Sequence, residues 1–180
     1  MSPLSHPIVA LLYDDGAAVE PVLSGIVTAM RARGLRVAGF LQHDRARADR
    51  TRCDMYLEDL ASGALVAISE DRGADARGCR LDQDAMARAE SLCAMSLDAE
   101  PDLLVINKFG KTEGEGGGFR PLMARALADG VPVLIAVPRR NLDAWRAFAD
   151  GLSREIDVRD LPGEGQALAA ELALSASASA

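Results

Sequence analysis

Pro7-Ile-Val-Ala-Leu-Leu-Tyr-Asp-Asp-Gly16 begins as a nearly continuous apolar run of strand length and ends in a polar turn. That is the pattern of a strand covered on both faces inside an α/β sheet. Ala17 to Arg33 follows with Val19, Val22, Leu23, Ile26, Val27 and Met30 at helical spacing, and Gly34 stands as a C-terminal stop. Leu35 to Gln42 supplies a second strand. Strand, short turn, helix and strand make the βαβ unit of a parallel sheet, with the first strand expected at its centre.

Outward from this unit, His43 to Arg52 reads as a charged loop carrying Arg45, Arg47, Arg50 and Arg52. Cys53–Leu60 and Gly63–Ser69 alternate as a β-hairpin should, an antiparallel extension of the main sheet. Leu81 to Leu97 returns to helical spacing. A strand over Asp102–Ile106, a helix over Phe119–Ala128, a strand over Val131–Val137 and a helix over Asn141–Phe148 complete the alternation. Ile156–Leu174 adds a short strand and a helix, and the Ala/Ser alternation after it predicts a flexible tail over 175–180. The expected fold is α/β, a three-layer, mostly parallel sheet with helices on both faces and a β-hairpin insertion, in one domain over 1–174.

Composition narrows the partners. A net charge of −7 disfavours nucleic acid and anionic membranes, which need a summed positive field. No apolar run is long enough to insert in a membrane and no secretion signal opens the chain, so the expected location is cytoplasmic. Cys53, Cys79 and Cys93 lack the paired spacing of a zinc or redox site. Two histidines, His6 and His43, do not support a histidine-rich metal centre or a hydrolytic triad.

The chemistry concentrates after the later strands. Leu103-Leu-Val-Ile-Asn-Lys-Phe-Gly-Lys-Thr-Glu-Gly-Glu-Gly-Gly-Gly118 holds the only two lysines, Lys108 and Lys111, in a chain whose other basic residues are all arginines. Ligands of doubly wound sheets bind outside the carboxyl ends of the strands. There the sequence places His43 and Arg45, then Asn107, Lys108, Lys111 and Arg120, then Arg139 and Arg140. Gly116, Gly117 and Gly118 allow backbone N–H groups to approach an oxyanion. Glu113 and Glu115 oppose an anion, and could instead pair with the lysines, stay solvated, or hold Mg²⁺.

The turn at Asp14, Asp15 and Gly16 stands where a phosphate loop, Gly-x-x-x-x-Gly-Lys-Ser/Thr, would lie, but it lacks the lysine, the hydroxyl and the second glycine. Its two acids repel a triphosphate unless a metal intervenes, and equally suit a helix cap and turn. Asn107-Lys108-Phe109-Gly110 approaches the Asn-Lys-x-Asp guanine motif, with Gly110 in place of the aspartate.

Val9–Gly16, Gly34–Gln42, Cys53-Asp-Met, Gly78–Asp82, Leu104–Glu113 with Gly116–Arg120, and Pro132–Pro138 with Trp145 resemble an uncharacterised family of bacterial proteins, a domain of unknown function typically encoded beside molybdate transporter genes. The layout also resembles thermophile-type P-loop nucleoside-triphosphatases, in which the strand corresponding to 102–106 ends in an Asp-Glu pair serving Mg²⁺. Here Asn107 and Lys108 hold those places. The resemblance implies a P-loop-like fold without the hydrolytic acids, and it supplies three readings. The first is an oxyanion-binding protein of molybdenum or tungsten homeostasis, taking molybdate, tungstate or condensed clusters. The second is a phosphohydrolase using a nucleotide with Mg²⁺ at a non-standard site. The third is a regulatory or assembly partner of a molybdate-transport or molybdoenzyme-maturation protein; apolar residues around Phe109 and Trp145 could make its surface, though each is more often core, and Trp145, at helical spacing from Leu142 and Phe148, reads as core. The exposed hairpin further suggests a homo-oligomer.

Overall fold

The computed structural model describes residues 6–45, 54–69 and 81–178. Seven strands form one sheet, β1 (Ile8–Tyr13), β2 (Val37–Arg45), β3 (Asp54–Asp59), β4 (Leu65–Ala67), β5 (Leu103–Ile106), β6 (Val133–Pro138) and β7 (Ser153–Asp157), in the order β4-β3-β2-β5-β6-β1-β7. β2, β5, β6, β1 and β7 run parallel, and β3 and β4 extend the sheet antiparallel from β2. The expected hairpin is therefore present.

Strand alternation sends side chains to two cores. Ile8, Ala10 and Leu12 of β1 face one layer, made by α2 (Gln83–Asp98), α4 (Arg120–Ala128) and α5 (Leu142–Ala149). Val9, Leu11 and Tyr13 face the other, made by α1 (Gly16–Ala32) and α6 (Gln166–Ala178). A four-residue helix, α3 (Lys111–Gly114), sits in the loop after β5. No helix among the described residues is long and apolar enough to cross a membrane.

Three expectations change. β5, not β1, is the central strand, because β6 and the weakly apolar β7 flank β1 and leave it next to the edge. His43–Arg45 is not loop but the end of β2, where its register against Tyr56, Met55 and Asp54 satisfies the backbone. The last helix runs to Ala178, so Ser175 to Ala178 continue it rather than fray. Phe109 and Trp145 take the core reading and offer no surface for docking: both are fully buried, with ring centroids 5.2 Å apart and planes 76° apart, an edge-on aromatic contact. Arg47, Arg50, Arg52, Cys53 and Cys79 lie outside the described residues. Cys93 is buried in α2, and burial pushes its thiol up to about 12, so it behaves as a small hydrophobe rather than a metal ligand.

Candidate anion site at the carboxyl ends of β5 and β6

Buried anchors on both sides of Lys108 determine its direction. The Asn107 side-chain oxygen accepts a hydrogen bond from the Gln42 N–H at 2.9 Å, tying the end of β5 to β2. Phe109 inserts its ring beneath the loop, donates its N–H to Ala136 O, and accepts at its own carbonyl from Asn141 Nδ2 at 2.8 Å. With its neighbours fixed inward, Lys108 is left exposed.

Glu113 closes the next turn. Its Oε2 accepts from the Gly110 N–H at 2.9 Å and its Oε1 from the Phe119 N–H at 3.1 Å, with the residue only 6% exposed. Both carboxylate oxygens thus have backbone donors, which caps α3 and fixes the entry to α4. The sequence reading left Glu113 as a cation ligand, lysine partner or solvated acid. The structure uses it as an internal brace.

Lys108, Lys111 and Arg140 line a cavity of about 300 Å³. Lys111 reaches Glu115 at 3.6 Å, an exposed pair one helical turn apart that contributes little. Among the described residues, Lys108 and Arg140 have no ion-pair partner. Asn107, Glu113 and Gly118 also border this space. The lining also includes residues that the sequence did not assign to the site: Phe40 of β2, Leu81, Gln83, Met86 and Glu90 around α2, and Phe119. Gln83, Met86 and Glu90 share one helical face by their spacing, the one signal that could have joined them. Burial raises the Glu90 carboxyl above its usual range, with Glu113 nearby adding to the effect.

The remaining expected site residues are elsewhere. Arg139 turns away from the cavity, pairing with Asp14 at 3.5 Å and with Asp157. Asp14 is thereby engaged, and the turn at Asp15 and Gly16 is closed by the Ala18 N–H donating to Asp15 O at 3.0 Å. His43 binds Glu58 at 2.7 Å, and the Arg45 guanidinium lies 5.0 Å over the Tyr56 ring, both on the hairpin. His43 borders a separate hollow with Glu20 and Ser24, from which Asn107 divides the main cavity. Arg120 covers the Phe148 ring at 4.4 Å and donates to Glu113 O. Gly116 and Gly117 shape the loop outside the cavity lining; φ at Gly116 is +101°. Among the described residues no three His, Cys, Asp or Glu side chains come together as a metal would require.

Asp157 organises this neighbouring ion-pair cluster. It accepts from the Arg159 N–H at 2.9 Å and the Arg159 guanidinium at 2.7 Å, and also from Arg139. The Arg159 hydrogen bonds, with Arg139 behind them, hold its carboxyl well below the usual carboxylate range. A depressed carboxyl stabilises the fold above its unfolded pKa of about 3.9 and loses that contribution as pH falls toward the folded value. Asp157→Asn is therefore expected to lower Tm at pH 7 and to approach the wild-type Tm as the buffer is taken from pH 4 to pH 2. A pH-independent Tm difference would sink this account.

With the site in place, comparison with known proteins supplies context. The profile of a family described as "Protein of unknown function (DUF2478)" matches residues 8–161. The chain belongs to this family. A protein of Bradyrhizobium diazoefficiens named "Molybdenum import ATP-binding protein ModC 2" is 32% identical over 145 residues, covering 81% of this chain. The chain spans only 16% of that relative's length. The crystal structure of THEP1 from the hyperthermophile Aquifex aeolicus superposes with a TM-score of 0.62, covering 84% of this chain and 89% of that one at 15% identity. The likeness to THEP1 establishes the shared P-loop-type α/β fold.

Proposed function

We propose that this member of the family is a non-hydrolytic oxyanion-binding module of molybdate or tungstate handling, working with a molybdate-import protein. The observation that carries the reading is the convergence of Lys108, Lys111 and Arg140 on one cavity at the carboxyl edge, with Lys108 and Arg140 unpaired among the described residues. Two strongly hydrated ammonium groups and a guanidinium fork suit a tetrahedral oxyanion. The kinship with a protein named for molybdenum import supports the choice of anion.

A nucleotide with Mg²⁺ fits the chain poorly at the first turn. Asp14 there is paired with Arg139, and the turn supplies no lysine to cradle phosphates. Asn107 after β5 uses its side-chain oxygen to hold Gln42, and Lys108 beside it would repel a metal. Phosphate release from ATP or GTP is accordingly expected to be negligible and equal in wild type and Lys108→Ala.

Calorimetry in low salt with molybdate, tungstate, sulfate and phosphate tests the binding reading. Lys108→Ala and Arg140→Ala should each weaken the best-bound anion about tenfold, equivalent to roughly 1.4 kcal/mol, while Arg139→Ala leaves its affinity within about twofold. Failure of all four anions to bind the wild-type chain would remove this function.

A further inference from the structure

The three cations, from the loops after β5 and β6, make up only part of the cavity lining. An anion of four oxygens about one centre fills on the order of 100 Å³, a few water volumes, whereas the space measures about 300 Å³. Its apolar lining includes the half-buried Leu81 and Met86, backed by the buried rings of Phe40 and Phe119. Such a wall does nothing for a small hydrated ion, since apolar groups cannot replace the water that an oxyanion gives up. It does suit apolar surface, and pockets with a mostly apolar lining and a few convergent polar groups are typical of organic ligands.

We propose that the cavity takes an organic oxyanion, a flat unsaturated ring lying against Leu81 and Met86 with its negative group held by Lys108, Lys111 and Arg140. This rests only on the oxyanion-binding role given above to Lys108, Lys111 and Arg140, and assigns the same site an organic class of anion besides the inorganic one. The carboxylates determine the orientation. Glu113 has both oxygens occupied by backbone donors, and Glu90 lies on the α2 side with Gln83, so the negative group belongs at the lysine end and the ring at the α2 end. Gln83 and Glu90 share a face of α2 with Met86 and offer hydrogen bonds to polar atoms on the ring's edge.

The site lies after β5 and β6, displaced from the first turn where a phosphate loop would sit. Its occupant therefore does not need the triphosphate geometry that Asp14 and Asp15 refuse.

The test is calorimetry on the full chain with phenyl phosphate, inorganic phosphate and phenol. Phenyl phosphate is expected to bind at least tenfold more tightly than inorganic phosphate, and phenol at least tenfold more weakly than phenyl phosphate. Met86→Gln should erase the advantage of phenyl phosphate while inorganic phosphate binds as before. Leu81→Ser provides the same readout where Met86→Gln does not fold. Equal affinity of wild type for phenyl phosphate and inorganic phosphate overturns the ring site and leaves the oxyanion reading standing. An advantage that survives both variants, or phenol binding as tightly as phenyl phosphate, also overturns it. Absence of binding by phenyl phosphate and inorganic phosphate alike overturns the ring site, while the oxyanion reading falls only if molybdate, tungstate and sulfate fail as well.

Discussion

Gly39→Ala is expected to destabilise the chain by about 4 kcal/mol or more, at the extreme of single substitutions. Gly39 ends the parallel pairing of β2 with β5, opposite Val105, and the next residue, Phe40, begins the antiparallel pairing with β3 opposite Asp59. The turnover needs φ of +101°, a conformation open to glycine and costly for any L side chain by about 1–3 kcal/mol. An alanine Cβ would also stand 1.9 Å from the Val105 carbonyl oxygen and 2.8 Å from its carbon. Those atoms belong to the central strand, buried on both faces, so neither partner has room to withdraw. Gly39 O also accepts the Leu60 N–H at 2.9 Å, so a shift of β2 would break the hairpin's attachment. Gly63→Ala is the matched control, with φ of +76° but open space around the added methyl, and should cost only about 1–2 kcal/mol. Urea denaturation followed by circular dichroism separates the two. With a slope near 2 kcal/mol/M, Gly39→Ala should lower the midpoint by about 2 M; a midpoint within about 0.5 M of the Gly63→Ala value would refute the steric argument.

The contrast between Gly39 and the strands around it shows where sequence reasoning stops. Ile8–Tyr13 and Val133–Pro138 announce themselves as continuous apolar runs because both faces of the strand are covered. The position of β1 in the sheet is set by β7, Ser153-Arg-Glu-Ile-Asp157, whose alternation is too polar to reveal that it covers one side of β1. His43 and Arg45 look like loop residues because charge usually marks loops, yet an antiparallel ribbon tolerates charge on its wet face. At the site, Lys108 and Arg140 could be found from their place after apolar strands. Nothing local distinguishes Arg140 from Arg139, because that choice depends on Asp14 and Asp157 arriving from distant strand ends. The α2 wall was hidden for the same reason. Gln83, Met86 and Glu90 reach the cavity only through the path of the hairpin and the crossover that follows it.

Glu113→Ala is expected to cost about 3 kcal/mol and to weaken oxyanion binding together with stability. A hydrogen bond to a charged acceptor contributes about 1.5–3 kcal/mol, and this carboxylate makes two, at Gly110 and Phe119. Removing it strands the Phe119 N–H in a buried position and frees the start of α3, which carries Lys111. Relief of repulsion with Glu90 offsets a small part of the loss, since Glu113 contributes to raising that carboxyl. Glu113→Gln should be milder, because the amide can still accept from one N–H but presents its NH₂ to the other donor. Gly118 provides the decisive cross-check. It has φ of +58°, and an alanine Cβ there would fall 2.0 Å from Glu113 Oε1. In wild type, Gly118→Ala therefore meets both backbone strain and a clash with the brace. In the Glu113→Ala background only the strain remains. The double variant should be less destabilised than the sum of the singles by about 1–3 kcal/mol, the coupling expected of residues in direct contact. Urea midpoints for the four proteins close the cycle, with the fluorescence of Trp145, packed on Phe109 beside Lys108, reporting whether the loop loosens before the fold does. Strict additivity would mean that Glu113 does not hold the loop through Gly118, and an unchanged oxyanion affinity in Glu113→Ala would separate the brace from the site.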